Sequence, residues 1–222
     1  MSDPSVATQP AFLLFIALTC LLTLGYFWGR RKNRRIAVSA LEALVEVVRP
    51  DDKTFTNIGG AIGYHANLLI QKKGPVRQVD ATITMLPRHA WLYLPLSKAI
   101  RKYDRLFITV HLRNKPFAEG HLIEKSYAGF RGPKITNAQR LGQEKVKWGG
   151  EDFYLFYEPG PMRDKLLAYL SSHPEPGGIR HLALVPDQKR AFIFMIPREG
   201  QVGAFLAPAY GWITSLATPE RP

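Results

Sequence analysis

Residues 11–28 read AFLLFIALTCLLTLGYFW, and GRRKNRR follows at once at 29–35. The first stretch runs without a charge. A helix needs roughly 17–25 apolar residues to cross a bilayer, so this stretch is long enough to span one. A buried core helix and a cleaved signal are the other uses of such a run. A signal carries positive charge ahead of its apolar run and a small-residue cleavage site behind it. Here the leading residues hold one charge, Asp3, and the bases Arg30, Arg31, Lys32, Arg34 and Arg35 all lie behind. Positive charge stays on the cytoplasmic side. The expectation is a short extracytoplasmic tail over 1–10, an uncleaved transmembrane helix over 11–29, and a cytoplasmic remainder. Tyr26 and Trp28 suit the interface, where a ring can be half wet.

Outward from the anchor, residues 30–50 join the basic flank to IAVSALEALVEVV at 36–48, whose apolar groups recur at helical spacing. Pro50 ends that helix. Residues 51–222 are enough for one domain with its own core. Net charge is +12 from 30 basic and 18 acidic residues; taking away the five bases and one acid of the first 35 leaves 25 against 17, or +8. That excess points to an anionic neighbour, whether lipid headgroups, RNA or an acidic protein face, or to solubility alone. Cys20 is the single cysteine and has no thiol partner for a disulfide or a metal.

DDKTFTNIGG at 51–60 reads as a loop. Residues 62–71 and 76–86 read as strands, the second alternating at Val79, Ala81, Ile83 and Met85. Pro87 is expected to open a helix that Pro95 kinks or splits. LFITVHL at 106–112 is a third strand, and strand, helix, strand implies a crossover within one sheet. Residues 113–150 lack a clear period and read as a long surface excursion. DFYLFY at 152–157, IRHLALVP at 179–186 and RAFIFMIP at 190–197 read as strands. MRDKLLAYLSS at 162–172 and AFLAPAYGWITSLA at 204–217 read as helices, the last too short to span a membrane. The expected class is α+β, a mixed sheet covered by helices.

Catalytic patterns are missing. There is no HExxH, no GxSxG elbow and no paired-carboxylate site. GGAIG at 59–63 is followed by an expected strand, where a phosphate loop needs a helix N-terminus. His181, inside IRHLALV, reads as a satisfied sheet residue. No catalytic, cofactor or metal residue is identified. The candidate contacts lie in the basic excursion: Arg131, Lys134, Arg140, Lys145 and Lys147. Bases spread along a segment with few aromatics suit phosphate contact, with RNA or lipid, better than base stacking.

Three patches carry a family resemblance. GRRKNRRIA at 29–37 looks like the G-x-x-KN-x-R-x-A exit of the calumin-type coiled-coil-domain proteins of the endoplasmic reticulum, subunits of the PAT complex (protein associated with the translocon). The succession from Val76 to Leu112 is similar to that family's cytosolic strand, helix and strand. DQKRAFIFMIP at 187–197 resembles its later D-x-KR-x-hydrophobic strand, which precedes an apolar terminal helix. The resemblance implies a non-enzymatic role beside the Sec translocon, with ribosome contact and a small membrane-protein partner that shields polar transmembrane segments during multipass insertion. The family's acidic lumenal region and basic C-terminal coiled coil have no counterpart in this short form, so calcium binding is not carried over. The expected partners are the Sec translocon, that small partner, ribosomal RNA and anionic lipid headgroups; no cofactor is expected. The alternatives are a membrane-surface module that binds anionic lipid, and an anchored enzyme of unknown reaction.

Overall fold

Pro10 opens a helix, α1 (Pro10–Val48), that runs unbroken for 39 residues. Pro is tolerated at its start, where the missing N–H would have no partner anyway. GRRKNRR does not interrupt it, because Arg and Lys are good helix formers and a single Gly costs only about 1 kcal/mol. Arg49 ends it in the left-handed region at φ 50°, its N–H donating to the Val45 carbonyl, and Pro50 cannot continue it. At about 1.5 Å per residue the helix is roughly 58 Å long. Its two halves differ. Residues 9–24 are exposed throughout, whereas Gly29, Asn33, Ile36, Ala37, Ala40, Leu44 and Val48 are buried at intervals of one to four. Among the described residues it is the one helix long and apolar enough to cross a membrane. The computed structural model describes residues 9–129, 132–133, 135–136 and 138–217.

Nine strands follow: β1 (Asp52–Asn57), β2 (Gly63–Leu69), β3 (Val76–Thr84), β4 (Arg105–Leu112), β5 (Gly120–Glu124), β6 (Gly142–Trp148), β7 (Glu151–Tyr157), β8 (Ile179–Val185) and β9 (Arg190–Met195). They form one sheet in the order β1-β2-β3-β4-β9-β8-β5-β7-β6, and every neighbouring pair is antiparallel. Three further helices, α2 (Leu94–Arg101), α3 (Met162–Ser172) and α4 (Val202–Ala217), complete an α+β architecture.

Side chains alternate between the faces of a strand. Ala81, Ile108, Ile193, Leu182, Leu122 and Leu155 stand in cross-strand register on one face. They share a single apolar core with the second half of α1, with α3 and with α4. The opposite face carries a second row in register: Thr82, Phe107, Phe194, His181, Ile123 and Tyr154.

Several expectations change. The sheet is antiparallel rather than mixed. Thr84 and Arg105 are register partners, so β3 and β4 pair directly and residues 85–104 project from one end instead of crossing a face. Pro95 sits in the first turn of α2, so it opens that helix rather than kinking it; residues 88 and 89 and 91–93 are turns. Residues 51–60 hold a strand, β1, at one edge of the sheet. The excursion over 113–150 holds two strands. One of them, β5, lies inside the sheet with nearly every residue buried, and the other, β6, forms the second edge.

Candidate functional site

GRRKNRRIA is where α1 meets the domain. Successive helical residues step round the axis by about 100°, which sorts the motif onto three faces. On the first, a Cβ at Gly29 would overlap the backbone of Arg88 and His89. One turn earlier, a Cβ at Gly25 would meet the Trp91 ring at 2.5 Å. Asn33, 0% exposed, completes this face. Its Nδ2 donates to the carbonyls of Leu86 (2.9 Å) and Ala61 (3.0 Å), and its Oδ1 accepts from Arg88 Nη1 at 2.8 Å. The same guanidinium grips Asp104 with two bonds, 2.9 and 2.7 Å, and Asp104 Oδ1 also accepts from the Leu86 N–H at 2.8 Å. This network fixes the height and rotation of α1 against the domain, because a buried polar group left unpaired is costly. Sequence reasoning missed Asn33, Arg88 and Asp104. The available signal was an Asn, a poor helix former, between bases in a helical run.

The second face carries Lys32 and Arg35, 3.1 and 3.9 Å from the carboxylate of Glu199. On the third, Arg30, Arg31 and Arg34 line a groove of about 980 Å³ between α1 and the β1–β2 turn, with Tyr26, Asn57, Tyr64 and His89 among its other walls. Asn57 closes that turn: its Nδ2 donates to the Gly60 carbonyl (3.0 Å) and its Oδ1 accepts from the Gly59 N–H (3.1 Å). Gly60 has φ +59°, a region that favours glycine. Among the described residues, none of these three arginines has an ion-pair or side-chain hydrogen-bond partner. Guanidinium forks match phosphate and carboxylate with paired N–H bonds, so the groove is suited to an anion.

The second basic cluster is elsewhere. Arg131 and Lys134 lie outside the described residues. Arg140 ends a short 3₁₀ turn, Ala138–Arg140. Lys145 and Lys147 are exposed on edge strand β6, and Lys145 Nζ sits 5.9 Å above the Tyr154 ring. Since β1 and β6 are opposite edges of the sheet and neighbouring strands are about 4.8 Å apart, the structure does not bring this cluster together with the groove.

The sheet face opposite the helices holds the one strongly displaced histidine. His181 is buried and neither ring nitrogen has a partner among the described residues, so it is not the satisfied sheet residue expected. It stacks on His121 at 5.9 Å and packs edge-on to Phe192 at 5.3 Å. Burial pushes His181 from 6.5 down to about 3, with the nearby His121 adding to the effect. His121 is lowered too, by burial, against the opposing bond to Glu119. The folded His181 stays neutral while the unfolded one takes up a proton below its ordinary value. The unfolded chain therefore binds more protons between pH 6.5 and 3, and stability falls as pH drops through that window. His181→Leu should remove roughly 2 kcal/mol of the stability lost between pH 7 and pH 5. Thermal unfolding of both proteins at the two pH values checks this, and identical pH dependence contradicts it.

Among the described residues no three His, Cys, Asp or Glu side chains converge as a metal site would require. No protein-family model matches the sequence, and no curated protein matches it.

Proposed function

We propose that the chain is a single-pass membrane protein whose β domain lies on the cytoplasmic leaflet. In this reading it is a non-enzymatic module that binds anionic phospholipid headgroups in the groove of Arg30, Arg31 and Arg34. The carrying observation is the position of that groove. It opens where the apolar half of α1 ends, so lipid phosphates and unpaired guanidiniums meet at one height. A base near an anionic leaflet contributes about 1 kcal/mol, and the same cluster favours keeping the N-terminus outside.

A second reading, association with the Sec translocon and ribosome in aid of multipass insertion, is supported by the resemblance. It is favoured by the Asn33–Arg88–Asp104 network, since a domain held at a fixed height above the bilayer suits a docking scaffold beside a channel.

One experiment addresses both. The full chain is purified from native membranes in mild detergent with ribosomes retained, as wild type and as R30Q/R31Q/R34Q, and the accompanying lipids and proteins are identified. Anionic phospholipid should accompany the wild type and fall by about tenfold or more in the triple variant; equal retention overturns the lipid reading. Sec components in the wild-type preparation support the second reading, and their absence overturns it.

A further inference from the structure

The helix α2 and the turn before it pack beside the apolar half of α1. Trp91, Leu92 and Tyr93 share a cleft of about 480 Å³ with Leu22, Thr23 and Tyr26. Trp91, Leu94 and Pro95 share another of about 490 Å³ with Leu21, Leu24 and Gly25. Gly25 lacks a side chain where the Trp91 ring stands. Leu21 to Gly25 precede Arg30 by five to nine residues. At about 1.5 Å each, Trp91–Pro95 therefore lies roughly 8–14 Å beyond Arg30 toward the apolar end of α1.

What the segment exposes fits that depth. Leu92, Leu96 and Ile100, four apart, form one stripe at 65%, 55% and 53% exposure. Ser97 is turned inward and buried, Lys98 lines the cleft against α1, and Lys102 is exposed just past the end of α2. The turn pairs part of its own backbone: the Ala90 N–H donates to Pro87, the Tyr93 N–H to Ala90 and the Leu94 N–H to Trp91. Pro95 has no N–H to satisfy. Each such pair lowers the cost of bringing backbone to the edge of the hydrocarbon, and N–H groups left over at the headgroup level meet water.

We propose that Trp91–Lys102 is an interfacial membrane helix with its lead-in turn. Its apolar stripe lies in the boundary between headgroups and acyl chains of the leaflet from which α1 emerges. The proposal rests on the reading of α1 as a membrane span. Helices of this kind sit about 5–10 Å into that boundary with bases reaching back to the headgroups, which matches the depth of Trp91–Pro95 and the exposed Lys98 and Lys102 away from the stripe. Trp91 and Tyr93 line these clefts together with Tyr26 and Trp28, which places four aromatic rings near the boundary, as in an aromatic belt. The stripe gives the chain a second hold on the bilayer beside the span.

The test uses the full chain with Cys20→Ser and one new cysteine at a time, Leu18→Cys, Lys53→Cys, Leu96→Cys or Ile100→Cys. Each carries a nitroxide label and is reconstituted, purified, into vesicles of phosphatidylcholine and phosphatidylglycerol. Accessibility to oxygen and to a water-soluble nickel chelate is read by electron paramagnetic resonance. The labels at 96 and 100 should resemble the label at 18: oxygen-rich and several-fold less accessible to nickel than the label at 53. If 18 is lipid-exposed while 96 and 100 match 53, the span stands and the interfacial helix is overturned. That outcome also covers a stripe that only a protein partner buries. If 18 matches 53, the span reading itself fails and takes this inference with it.

Discussion

Asp104→Ala should lower the stability of the folded chain by about 3–5 kcal/mol, the usual cost of removing one member of a buried ion pair. The carboxylate is 6% exposed and Arg88 is 16% exposed, so neither charge is rescued by water in place. Removing the carboxylate strands the Arg88 guanidinium and the Leu86 N–H together. It also frees Arg88 from the geometry that meets Asn33. Asp104→Leu combined with Arg88→Leu should cost much less than Asp104→Ala, since removing both partners leaves no buried charge unpaired. Thermal unfolding of the detergent-solubilised chain measures both. A loss under about 1 kcal/mol for Asp104→Ala would mean that this network does not hold α1 to the domain.

A second large effect is expected from one substitution made twice in the same helix. Leu44 is 0% exposed and belongs to the apolar core, whereas Leu18 is 47% exposed. Leu44→Ala should cost about 2–5 kcal/mol, combining lost burial with the cavity left behind. Leu18→Ala leaves no cavity, and the unfolding temperature of the domain should move little. The contrast locates the point where α1 ceases to be protein core, independently of any membrane assay. Similar losses at both positions would mean that the first half of the helix is packed against protein as well.

Much of the chain was readable because its signals were long or strongly periodic. The apolar run, the alternation at Val79, Ala81 and Ile83, and the continuous strand RAFIFM reappear as α1, β3 and β9. Short or inverted signals were not readable. The five residues of β5 are too few for a period, and burial on both faces removes the alternation. In β6 the inward positions include Glu144, which faces Arg163 at 2.8 Å, so only Val146 and Trp148 are left to mark the buried face. β1 is exposed along its whole length and could not announce a buried face.

The site was legible only by composition. The charge cluster behind the apolar run was evident, but its division was not. Only the helical phase separates Arg30, Arg31 and Arg34 from Lys32 and Arg35, and only the returning chain supplies Glu199, Arg88 and Asp104. Long-range partners such as Asp104, 71 positions beyond Asn33 in sequence numbering, leave no local mark.

The absence of any joint at GRRKNRR makes α1 a drive shaft on the membrane reading. A hinged tether would let the domain swing freely, but a stiff rod clamped through Asn33 turns the sheet whenever the lipid-embedded end turns. Adding one residue above Gly25 would twist the upstream end by about 100° against everything that follows. A small tilt inside the bilayer is likewise magnified at the far edge strand, so that a neighbour leaning on Leu14 or Leu18 would swing Lys145 through a wide arc.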